Sequence, residues 1–535
     1  MASAARTPQA DFLYIESVTA GRYGIPPGAV SWKQAADRVA CLRAAYSRAG
    51  YGHGHRVGLL LENRPEFFFH WLALNELGVS VVPINFEMRS AELAYLIGHS
   101  EIGLVVTLPE RREMLARAAT EAERPLRLAV PSDPSFPTAL LPAPKAGQRV
   151  GRDTECALLY TSGTTGKPKG CVLDNAYFLR AGQWYASLGG LSVYRADQER
   201  VMTPLPLNHM NAMAFSAVVV MLAGGCLVQL DRFHPGSWLN SARESGASII
   251  HYLGVMPAML LAAPPAGEDR LHDIRWGFGA GVGADHHAVF EARFGFPLIE
   301  AWAMTETGAA ACIMANHEPR QVGRHCFGKP EDFVDIRIVA EDGSDVEPGA
   351  PGELLVRSAG PSPRQHFFRG YLKDEAATEE AWQGGWFRTG DIVRQDDEGR
   401  MYFVDRKKNV IRRSGENISA VEVEGVLSRH PAVKAVAVTA TPDSVRGDEV
   451  LACVVLNDGV SAADPDRRQA LARSIVDHAL DRLAYYKAPG YVAFVKALPL
   501  TMSQKVQRGE LRQMGQALPG TVDCVDTRTM KKRRD

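Results

Sequence analysis

The chain has 535 residues, 46% of them hydrophobic and 23% charged, and carries a formal net charge of −1 at pH 7. That length exceeds what one hydrophobic core usually supports, the composition excludes a mainly disordered chain, and the near-neutral balance gives no sequence-wide drive toward nucleic acid or an anionic membrane. The eight cysteines are scattered without CxxC spacing, which suggests neither a zinc site nor a disulfide scaffold and fits a reducing, cytoplasmic compartment.

Met1 to Phe12 lacks the apolar centre of a secretory signal. From Val30 to Leu260, helix-like stretches alternate with short β-branched runs such as Val57–Leu61, Val79–Val82, Gly103–Thr107 and Ala247–His251, which predicts α/β layers. Pro131–Lys145, rich in Pro and Ala, reads as a surface connection. The longest apolar run, Ala212–Leu230, is interrupted by Gly224, Gly225 and Gln229; it predicts a buried helix running into a strand rather than a membrane span. Between Asp335 and Arg357, short strands broken by Asp342-Gly343 and Pro348-Gly349 predict a β-rich subdomain. Beyond Tyr402–Asp405 the pattern is a helix through Ser419–Arg429, strands at Val433–Thr439 and Glu449–Leu456, and a helix at Asp466–Leu483, a separate α+β domain. The expected division is a body over 1–405, its β-rich part at about 328–405, and a C-terminal domain over 406–535. The basic run Lys531-Lys532-Arg533-Arg534 is expected to be a solvated end.

The most informative segment is Tyr160-Thr161-Ser162-Gly163-Thr164-Thr165-Gly166-Lys167-Pro168-Lys169-Gly170, which follows the apolar run Cys156–Leu159. Its glycines let the backbone approach an anion closely, its hydroxyls donate hydrogen bonds and its two lysines add positive charge, so it suits a polyphosphate. It is not a Walker A loop: Thr161 stands where that motif needs glycine, and no Ser or Thr follows Lys167.

This run resembles the phosphate-loop signature of the adenylate-forming superfamily of acyl-CoA synthetases, peptide-synthetase adenylation domains and luciferases. Further motifs follow in the family's order, so the resemblance extends from Ser31 to Arg512. It implies a large N-terminal body of layered α/β subdomains with a small β-rich subdomain, followed by a mobile α+β C-terminal lid that alternates between two orientations. By resemblance, Trp302-Ala303-Met304-Thr305-Glu306-Thr307-Gly308 supplies Trp302 to stack on adenine, Thr305 to contact the α-phosphate and Glu306 to hold Mg²⁺. Gly385–Asp391 gives Asp391 to the ribose hydroxyls; Phe403–Asn409 is the hinge, with Arg406 near ribose or phosphate and Lys408 absorbing the backbone rotation. Pro499–Arg508 resembles the final motif, whose lysine is Lys505; Gln504 stands where the family usually has glycine.

The implied activity is ATP-dependent ligation of a carboxylic acid to coenzyme A through an acyl-adenylate, with ATP, Mg²⁺ and CoA as cofactors. For the thiol step the resemblance brings forward Arg412–Ile418, with Gly415 at a close approach and Arg412, Arg413 and Arg446 toward the CoA phosphates. It lines the acyl pocket with Leu207–Asn211, including His209 and Asn211, and with Gly279, Ala280, Gly281, Ala301 and Ala303; Gly279 and Ala280 also count on the nucleotide side. Ala303 replaces the family's usual glycine, which favours a small or flat acid. Phe403–Glu424 is most similar to crotonobetaine/carnitine-type and aryl-CoA ligases. A freestanding adenylation enzyme that loads a carrier protein, and a silent acyl- or nucleotide-binding protein, stay open at this point, and a homodimer is compatible with all three.

Overall fold

The computed structural model describes residues 2–86, 88–133, 135–161, 168–413, 416–443, 447–483, 485–500 and 505–531. The chain divides into two compact units, Met1–Ile336 with Val356–Phe387, and Arg337–Leu355 with Arg388–Asp535.

The first unit is built on two sheets. One runs in the order Ile313–Met314, Leu298–Trp302, Trp276–Ala280, Ile249–Leu253, Arg200–Thr203, Cys226–Gln229, Asp11–Ile15 and Gly28–Ser31. Its six inner strands are parallel, with an antiparallel strand at each edge. The other runs Gly370–Tyr371, Lys169–Asp174, Glu155–Thr161, Ser80–Pro83, Arg56–Leu60, Leu104–Thr107 and Arg127–Ala129, parallel from Glu155–Thr161 onward. Strands such as Ser80–Pro83, Leu104–Thr107 and Cys226–Gln229 are buried on both faces, as parallel strands covered by helices must be. Their near-continuous apolar character is what made the alternation readable.

Helix ends follow from the sequence too. Trp32–Arg48 opens on a capping box in which Ser31 and Gln34 satisfy each other's free N–H groups, and Asn175–Ala186 opens on Asp174, whose carboxylate accepts from Tyr177 N. The apolar run after Leu207 is the expected buried helix into a strand, with one refinement: it begins as π-helical turns over Asn211–Ala217, continues as Val218–Ala223 and reaches the strand Cys226–Gln229. Pro131–Lys145 forms no helix or strand among its described residues, but Phe136 stacks at 4.0 Å on the buried Tyr46 ring. Among the described residues no helix is long and apolar enough to cross a membrane.

In the second unit the hairpin Phe387–Gln395 and Met401–Arg406 pairs Asp391 with Arg406. A second sheet then forms from Ile411–Arg413, Glu416–Ile418, Val433–Asp443, Gly447–Leu456, Tyr491–Phe494 and Cys524–Asp526. The helices Ala420–Leu427 and Pro465–Leu480 cover it around a core of Val423, Val450, Ile475 and Val492. Helix, strand, strand and helix occur where the sequence pattern put them. Lys531 differs from expectation: its side chain is nearly buried and pairs with Glu449 at 2.7 Å, because a carboxylate inside the unit needs cations to offset its burial, while Lys532, Arg533 and Arg534 lie outside the described residues.

Candidate active site

In open parallel sheets, the loops beyond the carboxyl ends of the strands are where ligands bind. The predicted residues of the first unit gather at those ends. Thr161 closes the strand Glu155–Thr161, and the antiparallel partner resumes at Lys169, opposite Thr161. Ser162, Gly163, Thr164, Thr165, Gly166 and Lys167 lie outside the described residues. Ala301 and Trp302 end the strand Leu298–Trp302, followed by half-buried Ala303 and Thr305 and buried Glu306. Gly279, Ala280 and Gly281 end the neighbouring strand Trp276–Ala280.

The structure ties the phosphate hairpin to the second motif through side chains that no local pattern reveals. Tyr371 Oη donates to Glu306 Oε1 at 3.0 Å, Cys171 Sγ lies 3.7 Å from the same oxygen, and Thr161 Oγ1 lies 3.9 Å from Cys171 Sγ. Lys169 Nζ sits 4.7 Å from the centre of the Tyr371 ring, and Tyr177 Oη donates to the Thr305 carbonyl at 2.9 Å. Burial, and then the Glu306 carboxylate, push the Cys171 thiol and the Tyr371 phenol up, so both stay protonated and act as donors. Gly308 adopts φ +51°, and a Cβ there would stand 2.4 Å from the Tyr177 ring, so glycine is required for this approach.

Glu306 fits a magnesium ligand. One carboxylate oxygen is held by Tyr371, and among the described residues no protein group donates to the other. No cluster of three metal-binding side chains occurs among the described residues. Mg²⁺ needs none, since it commonly takes one or two carboxylates and completes its shell with water and substrate phosphates.

At the acyl-pocket positions, His209 is exposed rather than packed in the core, and Asn211 is half-buried with Oδ1 2.6 Å from His251 Nδ1. Gly279 lies where a Cβ would come within 2.3 Å of the Tyr252 carbonyl. The nearby Glu300 carboxylate accepts from the backbone N–H groups of Gly281 (3.3 Å) and Val282 (2.8 Å), which fixes the bend after this strand; burial raises its pKa.

In the second unit Asp391 is fully buried, and the Arg406 guanidinium reaches its Oδ1 at 2.7 Å. Asp405, beside it in the hinge motif, accepts from Ser419 Oγ at 3.0 Å and Val421 N at 3.2 Å and so fastens the start of the next helix. The side chains of Lys408 and Arg412, and all of Gly415 and Arg446, lie outside the described residues. Arg413 corrects an expectation. It is buried, with Nε 2.9 Å from both oxygens of Glu449, so it is committed to an internal ion pair and is not presented to CoA phosphates. Lys505 stands at the surface; the protein around its ammonium group and the Arg406 guanidinium hold its pKa below the ordinary lysine value. Its motif is anchored by Arg508, bidentate on Glu424 at 2.7 and 2.8 Å.

A hydroxyl- and glycine-rich phosphate hairpin beside a buried, partly committed carboxylate, on an α/β body, defines a nucleotide-dependent enzyme. The AMP-binding enzyme model matches residues 2–372, and the model of the AMP-binding enzyme C-terminal domain matches 422–505. The chain belongs to the AMP-binding enzyme family. It is 32% identical over 503 residues to a sulfoacetate–CoA ligase of Cupriavidus necator, covering 90% of this chain and 92% of that one. To a feruloyl-CoA synthase of an Amycolatopsis species it is 31% identical over 505 residues, covering 92% and 95%. A crotonobetaine/carnitine–CoA ligase of Shigella flexneri is 28% identical over 481 residues, covering 86% and 89%. Among solved structures, the o-succinylbenzoate CoA synthetase of Bacillus subtilis with its acyl-adenylate intermediate superposes with a TM-score of 0.79 at 26% identity, covering 96% and 97%. The same synthetase has also been solved with ATP and a magnesium ion. The enzyme class is that of AMP-forming acid–thiol ligases, which act with ATP, Mg²⁺ and CoA through an acyl-adenylate.

Proposed function

We propose that this ligase activates a small or aromatic carboxylic acid, and that Thr305, Glu306 and Lys505 carry the adenylation step. The observation that carries the reading is the meeting of Cys171 and Tyr371 on Glu306, with Thr161 against Cys171, which fastens the phosphate hairpin to the second motif. The substrate class follows from Ala303, whose methyl narrows the site, and accords with the names of the curated relatives, which act on sulfoacetate and feruloyl acids.

A carboxylate is a poor acyl donor because its leaving group would be oxide. In the first half-reaction a carboxylate oxygen bonds to the α-phosphorus of ATP while the bond to pyrophosphate breaks. Lys505 offsets charge between the attacking oxygen and the α-phosphate, and Thr305 and Lys169, with Ser162–Lys167, hold the phosphoryl oxygens. Mg²⁺, when held by Glu306, neutralises phosphate charge. Trp302 offers the adenine a flat apolar face, and Asp391 and Arg406 meet the ribose. In the second half-reaction the thiol sulfur bonds to the acyl carbon, the bond to AMP breaks, and the thiol proton is lost.

The domain division we assign to this cycle is 1–405 and 406–535, with Lys408 as the turning point and the hairpin Ile411–Ile418 as the element used in the thiol step. Gly415 remains the proposed close-approach position, and Arg412 and Arg446 remain the candidates for the CoA phosphates. Pyrophosphate release tests the reading, across short aliphatic, aryl, hydroxyaryl and betaine acids, with and without CoA, in wild type and Lys505→Ala. One acid class should give CoA-stimulated turnover that Lys505→Ala abolishes; turnover independent of Lys505 would remove the assignment.

A further inference from the structure

The first unit buries a polar chain that none of the reaction steps uses and that ends on Asn211. Tyr185 Oη lies 2.8 Å from His251 Nε2; His251 Nδ1 lies 2.6 Å from Asn211 Oδ1 and 2.8 Å from Ser216 Oγ. Tyr185, His251 and Ser216 are fully buried, among the rings of Phe215, Trp276 and Phe278. Asn211 is half-buried, beyond the carboxyl end of the strand Arg200–Thr203. The π-helical turns are the reason that Asn211 and Ser216 both reach the imidazole: a ladder with five-residue spacing puts positions i and i+5 on one side, and Ser216 Oγ also donates to the Asn211 carbonyl at 3.3 Å.

With Asn211 Oδ1 placed toward Nδ1, the donors and acceptors are satisfied by one arrangement. Burial pulls the His251 pKa down to about 3, so the ring is neutral and has one N–H and one lone pair. An amide oxygen facing Nδ1 requires the proton on Nδ1. The lone pair is then on Nε2 and must accept from the Tyr185 hydroxyl. With Oδ1 turned to the imidazole, the amide NH₂ of Asn211 points the other way, and among the described residues no protein group accepts from it.

We propose that Tyr185 and His251 are positioning residues that lock the Asn211 amide with its NH₂ toward the acyl group, so that the enzyme selects acids bearing a hydrogen-bond acceptor on the acyl chain. This rests on Asn211 lining the acyl pocket. The acceptor is an ether, carbonyl or anionic oxygen. A site built around a fixed donor discriminates against an isostere that leaves the donor unpaired, whereas a shape-only pocket barely separates the two. A freely rotating asparagine would accept or donate equally and give no such preference.

The test uses two shape-matched pairs, methoxyacetate against butyrate and para-methoxybenzoate against para-ethylbenzoate, read as kcat/KM for pyrophosphate release. In the better-used pair the acceptor-bearing acid is favoured by about 10-fold in wild type. Asn211→Leu brings that ratio to about 1, and Tyr185→Phe lowers it severalfold through KM while kcat for the apolar acid stays within about twofold. Nitrogen NMR of ¹⁵N-histidine-labelled protein shows His251 with its proton on Nδ1 in wild type, and Tyr185→Phe removes that preference. A ratio near 1 in wild type, a ratio untouched by Asn211→Leu, or a proton on Nε2 in wild type would overturn the proposal. Absence of turnover with every acid would instead count against the substrate reading, and the tautomer would still decide how the amide is held.

Discussion

Tyr371 donates a 3.0 Å hydrogen bond to Glu306 across 65 residues of chain, and the same phenol ring lies under the Lys169 ammonium group at 4.7 Å. One side chain therefore sets the position of both the carboxylate assigned to Mg²⁺ and a lysine of the phosphate hairpin. Its hydroxyl stays protonated because burial and the adjacent carboxylate both raise its pKa.

Tyr371→Phe keeps the ring and removes the donor. The expected result is a loss of about 10-fold in adenylation kcat/KM, with a higher Mg²⁺ concentration for half-maximal rate, since Glu306 is no longer held. Magnesium titration of pyrophosphate release checks it; an unchanged magnesium dependence would separate Tyr371 from Glu306.

The lowered pKa of Lys505 has a kinetic consequence, because only the ammonium form can offset charge between carboxylate and phosphate. Adenylation should fall as pH rises through a value below 10.5, the ordinary lysine pKa. Lys505→Arg, charged at all accessible pH, should lose that alkaline limb while retaining a small fraction of the rate. A limb that survives in the arginine variant would belong to another group.

Arg413 and Glu449 are both buried, so removing one partner leaves an uncompensated charge. Arg413→Met should cost about 3 kcal/mol in denaturant unfolding of the second unit, moderated by Lys531 on the same carboxylate. KM for CoA should stay within about twofold, since this arginine is turned inward. A rise in KM for CoA at unchanged stability would restore its role in thiol binding.

Burial lowers the pKa of His251 to about 3 and of His70 to about 4, against 6.5 when exposed. The unfolded chain therefore binds more protons than the folded one below pH 6.5, so stability is retained above that value and lost as pH falls toward 4 and 3. Each histidine contributes a slope of up to about 1.4 kcal/mol per pH unit in that window. Melting temperature against pH checks it, and His251→Gln should flatten the acid slope.

The layers of the body were legible because parallel strands buried on both faces must be apolar runs, and the motif residues because their chemistry is packed into short contiguous stretches. The partners of those motifs were not legible. Cys171 reaches Glu306 across 135 residues and His251 reaches Asn211 across 40, and no spacing rule joins them. Arg413 misled for the same reason. A basic cluster before a glycine looks like a phosphate contact until Glu449, 36 residues on, is seen to take the charge. Lys531 read as a tail cation because its buried partner, 82 residues earlier, leaves no local trace.

The most direct test of the ligase assignment is product analysis by mass spectrometry with ATP, Mg²⁺ and the acid that supports turnover, before and after CoA is added. The acyl-adenylate route requires an acyl-AMP species and pyrophosphate before the thiol, then AMP and acyl-CoA in equal amounts after it, all lost in Lys505→Ala. Formation of ADP and phosphate, or of acyl-CoA with no acyl-AMP and no dependence on Lys505, would contradict it.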